Sequence, residues 1–243
     1  MICRLKSDAL NKLNSLSEDK ILEFKTLAVK GVLEWSSSNE EYRSLIELFK
    51  KEIKDYYYFA QGRRCCYCSI ELQNHKATYD VEHILSKDEY PEYMFDSKNM
   101  AVACKVCNSH KSNKKITSCA DKLVSLSDDS NDYLIVHPHL DEWSEHFLFD
   151  AVNRIKVKDN SEKGEKTFSI CKMNLINLAR LADGFNFKQR DSVEKILRKF
   201  LEEDNSERKR EILDLLRELS GNSKNKYSYV VINALESDLK SSG

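Results

Sequence analysis

The chain has 243 residues, 41% of them hydrophobic and 33% charged, with a formal net charge of -1. That composition excludes a disordered or membrane-embedded chain and leaves room for one large core or two small ones. The near-neutral balance also excludes a general polycation, so any grip on nucleic acid must come from local clusters of Lys and Arg. No apolar run approaches the length of a membrane helix, and the N-terminal stretch through Lys6 has no apolar signal core. The expectation is a cytoplasmic protein with no membrane partner. In that reducing compartment, eight cysteines point to metal rather than disulfides.

In chain order, Ser17 reads as an N-cap with Glu18 and Asp19 in the first turn. Ile21, Phe24, Ala28, Val32 and Trp35 then recur at helical spacing, predicting a helix over 17–35. Ser36 to Asn39 breaks the pattern. A second helix is expected from about Glu40 to Ala60, with Tyr42, Leu45, Ile46, Phe49, Ile53, Tyr56 and Tyr57 as one apolar stripe and Gly62 at its end. The stripe reads as core-facing rather than as a base-stacking surface beside Arg63 and Arg64.

Residues 63–74 suggest a zinc knuckle or short hairpin. Ala77 to Leu85 is β-prone, Lys87 to Asp96 is a loop with Pro91, Asn99 to Ala103 is a second strand, and Cys107 to about Lys115 is a helix. Asp121 to Asp150 is acidic and reads as a solvated face. It contains His137-Pro138-His139 and His146, which read as structural histidines rather than metal ligands. Phe147 to Phe149 and Val152 to Val157 suggest a small hairpin. Lys158 to Lys166 is expected to be a polar loop. Its Gly164-Glu165-Lys166-Thr167 loosely mimics a phosphate-binding loop, but Glu165 intrudes and Asp159 stands where the upstream glycine belongs, which excludes a nucleotide site there. Beyond it lie helical stripes: Leu175, Leu178, Ala179 and Ala182; Val193, Ile196, Leu197, Phe200 and Leu201; Ile212, Leu215, Leu216 and Leu219; and a last helix over Tyr229 to Leu239. The expected class is α+β and mainly helical. Its regions are an N-terminal helical part (1–62), a central zinc-bearing core (63–120) and a C-terminal part with a small hairpin and then helices (121–243).

The cysteine spacing carries the strongest chemical signal. Cys65 and Cys68 form one Cys-x2-Cys pair, and Cys104 and Cys107 another, which together mark a tetrahedral structural Zn2+ site. Cys3, Cys66, Cys119 and Cys171 lack partner spacing and read as ordinary thiols. The interval between the pairs is longer than in a compact zinc ribbon. It holds Asp80-Val81-Glu82-His83 and Lys98-Asn99-Met100.

Those residues supply what phosphodiester hydrolysis needs: a base for water, a cation on the phosphate and leaving oxygen, and fixed geometry. His83 is the candidate base, because imidazole titrates near neutrality. Glu82 and Asn108 offer hard oxygen ligands for a catalytic Mg2+ or Mn2+. His110 is the rival ligand, although helical spacing turns it elsewhere. Consecutive strand residues face opposite sides, so Glu82 and His83 can share a site only if the chain bends tightly after the strand. The Asn99 amide is available to hold the loop that bears His83. A helix through residue 115 would place Asn108, Lys111 and Lys115 on one face. Lys111, Lys114 and Lys115 suit phosphate contacts, which bind nucleic acid without choosing sequence.

This segment resembles the HNH endonucleases, whose fold is a ββα-metal finger commonly buttressed by a four-cysteine zinc site. Asp80-Val81-Glu82-His83 is similar to the first motif of that family, Lys98-Asn99-Met100-Ala101-Val102 to the central one, and Cys107-Asn108-Ser109-His110-Lys111 to the last. The resemblance implies His83 as general base, Glu82 and Asn108 as metal ligands, and Asn99 as the residue that orients the base loop. Cys65, Cys68, Cys104 and Cys107 would hold zinc. Many relatives have Gly where Ser112 follows the last lysine here. A wider likeness takes in the helical N-terminal lead and the stretch Met173 to Arg190, and resembles HNH subunits of Septu-type and retron-associated phage-defence systems. Those subunits work with a separate ATPase. The resemblance therefore implies a DNA or RNA substrate and an ATPase partner. The alternative is a non-catalytic zinc-stabilised adaptor or nucleic-acid-binding subunit, which gives Glu82, His83 and Asn108 no joint role.

Overall fold

Helix boundaries follow local chemistry in the computed structural model, which describes residues 2–119, 121–185, 187–221 and 227–241. Helix α1 (Glu18–Val29) starts where the Ser17 side chain accepts a hydrogen bond from the Lys20 amide, with Glu18 and Asp19 in the first turn. It stops well short of Trp35, because Gly31 takes φ +68° and turns the chain out of the helix. Val32 is consequently exposed, and Trp35 sits on a loop. Helix α2 (Glu40–Ala60) is capped by Asn39 and buries Ile46, Phe49, Ile53, Tyr57 and Tyr58.

Strands β1 (Tyr79–His83) and β2 (Met100–Cys104) pair antiparallel, with Tyr79 opposite Cys104 and His83 opposite Met100. Helix α3 (Lys105–Lys111) follows β2 without an intervening loop and ends at Ser112, which adopts φ 45° and ψ -132°. It is shorter than its sequence suggests, so Lys115 lies beyond the helical face expected to carry it. The short α4 (Trp143–His146) leads into β3 (Phe147–Phe149), which pairs with β4 (Ile155–Val157) as the expected hairpin. The stretch expected to be a polar loop instead enters α5 (Glu162–Ile170). Glycine is required inside that helix: a Cβ on Gly164 would fall 2.7 Å from Ser161 Oγ and 2.9 Å from Val157 Cγ1. The chain continues as α6 (Met173–Ala182), α7 (Arg190–Glu202), α8 (Ser206–Gly221) and α9 (Tyr227–Ser241).

These elements form two units, one of residues 2–147 and 157–172, the other of residues 148–156 and 173–243. The first of these units draws on residues 2–62, 63–119 and 121–147 alike. Its core is aromatic: Phe24, Trp35, Phe49 and Phe95 meet edge-on or tilted, with ring centroids 5.1 to 6.2 Å apart. The second unit is organised by an apolar cluster that includes Leu181, Phe185, Val193, Leu197, Phe200, Leu213, Leu216, Val231 and Leu235. Within it the Asn177 amide bonds both the N–H and the carbonyl of Ile155.

Candidate functional site

The site is built outward from the four cysteines. The Sγ atoms of Cys65, Cys68, Cys104 and Cys107 lie within 4.8 Å of one another, and all four residues are buried. Cys68 Sγ and Cys104 Sγ are 3.7 Å apart, close to the edge of a tetrahedron drawn with Zn–S bonds of about 2.3 Å. Among the described residues these cysteines form the one metal-capable group of His, Cys, Asp or Glu side chains. The donor set fits zinc, and Cys65, Cys68, Cys104 and Cys107 are the residues that would hold it.

Local bonds shape this knuckle. The Cys65 amide donates to Ile70 O at 3.0 Å, and the Ser69 amide donates to Cys65 O at 3.1 Å. The Cys104 amide points at Cys65 Sγ at 3.3 Å. Gln61, just past α2, is fully buried and acts as a surrogate strand residue. Its Nε2 donates to Arg64 O and Val102 O, and its Oε1 accepts from the Val102 amide. One side chain thus ties helix, knuckle and sheet.

The residues singled out for chemistry gather beside this centre. Glu82, His83, Asn108 and His110 all line one cleft of about 540 Å³. His110 was expected to face elsewhere, but it too borders that cleft. Its ring Nδ1 lies 2.8 Å from Val106 O, so in the neutral imidazole Nδ1 carries the proton and Nε2 the lone pair.

Past His83 the chain bends at Ile84 and Leu85, and the bend is held by Asn99. The Leu85 amide donates to Asn99 Oδ1 at 2.8 Å, while Asn99 Nδ2 donates to Leu85 O at 3.0 Å and to Tyr93 O at 3.3 Å. Asn99 itself lines a different cavity and touches the cleft only through this loop. The loop brings Met94 O to 3.0 Å from His83 Nε2. A carbonyl accepts only, so Nε2 carries the proton and Nδ1 is left as the basic atom. Trp35 packs edge-on to the His83 ring at 4.4 Å between centroids. Burial pushes the imidazole down to about 4 against the pull of the Met94 carbonyl, and the Lys111 and Lys87 charges act in the same direction as burial. His83 is therefore neutral at pH 7.

Lys111 departs from expectation. Read as a phosphate contact, its side chain is 1% exposed and bonds Glu82 Oε1 at 2.7 Å and His83 O at 2.8 Å. The buried Glu82 carboxylate needs a counter-charge, and Lys111 supplies it. Tyr67 OH donates to the same Oε1 at 3.2 Å. Burial raises the Glu82 pKa, opposed by the Lys111 ammonium. Lys114 is also engaged, with Nζ on Ile170 O at 3.2 Å.

His137 and His139 are structural, as read from the sequence. His139 stacks on Tyr57 and points Nε2 at Met100 O, 2.8 Å away, while His137 Nδ1 accepts from the His139 amide at 3.2 Å. Residues that sequence reasoning missed are Trp35, Gln61 and the carbonyl of Met94. The first was misassigned to a helix. Gln61 acts by bonding its side-chain amide to backbone groups distant in sequence, and Met94 by its own carbonyl, and sequence spacing carries no signal for either.

Fold and site together define a mainly helical α+β protein with a buried four-cysteine cluster able to hold a metal, beside a polar cleft. Among the described residues no helix is long and apolar enough to cross a membrane. No family model matches the chain. Over 117 residues it is 28% identical to Septu protein PtuB of Bacillus thuringiensis, a match covering 48% of this chain and 38% of that protein.

Proposed function

We propose that the chain is the nuclease subunit of a Septu-type antiphage defence system, in which β1, β2 and α3 form an HNH ββα-metal finger that hydrolyses phosphodiester bonds in DNA or RNA. The orientation of His83 carries this reading. Its Nε2–H is committed to Met94 O, which leaves a neutral Nδ1 free to take a proton from water as the water oxygen attacks phosphorus. Asn99 holds the loop that supplies Met94 O, so it is a positioning residue, and Lys111 fixes the strand end through His83 O.

A bound Mg2+ or Mn2+ supplies positive charge to the phosphate and the leaving oxygen. The residues that would hold it are Glu82 and Asn108, with His110 Nε2 as a further donor. Glu82 meets Lys111 and Tyr67 through one oxygen, Oε1, while lining the cleft. That sparse donor set suits a cation that keeps most of its waters. The likeness to PtuB supports the defence role and a separate partner subunit, which on this reading is an ATPase.

The test is cleavage of plasmid DNA and of total RNA by zinc-loaded protein with Mg2+ or Mn2+, alone and with its genomic neighbours. His83→Ala is expected to slow cleavage by about 10²- to 10⁴-fold with zinc stoichiometry unchanged, and a variant that cuts like wild type ends the assignment. One observation favours the zinc-stabilised adaptor instead, namely the closed Glu82–Lys111 ion pair. Calorimetry that finds no divalent site besides zinc, with nucleic acid present, would decide for it.

A further inference from the structure

The polar side of α2 carries Glu47, Lys50, Lys51 and Lys54, spaced i, i+3, i+4 and i+7 and so on one helical face. With Trp35, Asp80, Val81 and Asn108 they line a groove of about 630 Å³. Asp80 and Asn108 also line the His83 cleft, so the two depressions lie side by side and share a wall. We infer that this groove carries the backbone of the nucleic-acid substrate into the His83 cleft, with Lys50, Lys51 and Lys54 as its phosphate contacts. The inference rests on the nuclease reading above and gives it a substrate path.

Two of the three ammonium groups are placed by aromatic rings. Lys50 Nζ lies 5.0 Å from the Trp35 centroid and Lys54 Nζ 4.6 Å from that of Tyr79. Trp35 also packs on His83, and Tyr79 is the first residue of β1, the strand that ends in His83. The cations are therefore registered to the base by Trp35, which lines the groove, and by Tyr79 at the head of the strand that carries the base. The carboxylates nearby are engaged in ion pairs: Glu47 with Lys50 at 2.9 Å, Asp55 with Lys51 at 3.2 Å and Asp80 with Lys105 at 2.6 Å. Pairs as exposed as Lys51–Asp55 are weak and give way to a phosphate. The lysines suggested by sequence are less available, since Lys111 is buried against Glu82 and Lys114 is bonded to Ile170 O. Lysine contacts to phosphate read no bases, so the track grips nucleic acid without sequence preference.

The experiment uses the full chain, zinc-loaded, in the His83→Ala background. Fluorescence anisotropy with labelled single-stranded DNA, single-stranded RNA and duplex DNA is measured between about 50 and about 200 mM KCl. Changing Lys50, Lys51 and Lys54 together to Gln is expected to weaken binding roughly tenfold or more and to flatten the salt dependence by about 0.7 to 0.9 per lost contact. Lys51→Glu alone, at a side chain 68% exposed, should weaken binding several-fold without touching the core. Lys195→Gln, on the exposed face of α7, should change neither quantity. The probe that shows the loss identifies DNA or RNA as the ligand. A folded triple variant with unchanged affinity and salt slope overturns the track, as does an equal loss in Lys195→Gln. If wild type still cleaves in either case, the nuclease reading stands alone. A wild-type protein that neither cleaves nor binds any probe removes both.

Discussion

In the C-terminal helices α6 to α9 the buried side chains are mostly apolar, leucines, valines and phenylalanines above all, with buried Asn177, Ser220 and Ser228 among them. Between Cys65 and Lys111 the buried set includes four clustered thiols, Glu82, Asn99 and Lys111. Apolar packing is non-directional and forgiving of exchange at constant volume. Buried polar groups are directional, and each is costly to leave unpaired. A two-stranded sheet such as β1–β2 is marginal by itself, so the finger relies on metal and polar clamps. The candidate chemistry sits in the region whose atoms are placed by bonds rather than by volume.

Metal removal should separate the two regions most. Structural zinc contributes on the order of 10 kcal/mol in small zinc folds. Chelation, or Cys104→Ser, is expected to expose the amides of β1, β2 and α3 to hydrogen exchange while those of α7 to α9 stay protected. Joint loss of protection would break the contrast. Next in size is Lys111→Met, which leaves the Glu82 charge buried without its partner and should cost about 3–5 kcal/mol in denaturant melts. Adding Glu82→Gln to it should recover part of that cost, because a neutral amide needs no counter-charge. If Lys111→Met is as stable as wild type, Glu82 is balanced by something else.

Acid should act on one region only. All six histidines lie between His75 and His146, within the unit that bears the finger. Burial lowers the pKa of His83 and of His139 to about 4 and pushes that of His137 down as well. The unfolded chain takes up these protons near pH 6.5, so it binds more protons than the folded chain between pH 6.5 and about 4. Stability from these groups is therefore fully present above pH 6.5 and is lost as the pH falls toward 4. Hydrogen exchange at pH 7 and pH 5, with excess zinc, should show weaker protection in α2 and β2 at the lower pH and little change in α7 to α9. An equal response in both would mean that other groups titrate.

Much of this contrast was legible in the sequence. The cap at Ser17, the apolar stripes of α2 and of α6 to α8 apart from exposed Leu201 and Leu215, the last helix, the hairpin and the paired Cys-x2-Cys spacing are local patterns, and local patterns are what periodicity reports. The failures were of another kind. Val32 and Trp35 keep the helical period past the point where Gly31 turns the chain away. The buried face of α5 is Gly164, Thr167 and Ile170, too small and polar to read as a stripe. Lys111 looked like surface because its partner, Glu82, is distant in sequence. The base loop depends on a carbonyl, Met94 O, that any residue would provide.

The smallest expected effect tests the end of α3. Ser112 sits at φ 45° and ψ -132°, a region that favours glycine, and an L-residue held there stores about 1–3 kcal/mol of strain. Ser112→Gly should release it. The replacement also gives the unfolded chain more freedom, which costs about 0.5–1 kcal/mol, so the net gain is about 1 kcal/mol. The gain should appear as a raised melting temperature and as greater exchange protection of the α3 amides, with α7 to α9 unchanged. A variant that melts lower than wild type would mean that the Ser112 hydroxyl, which donates to Asn113 Oδ1, does more for the turn than its backbone strain takes away.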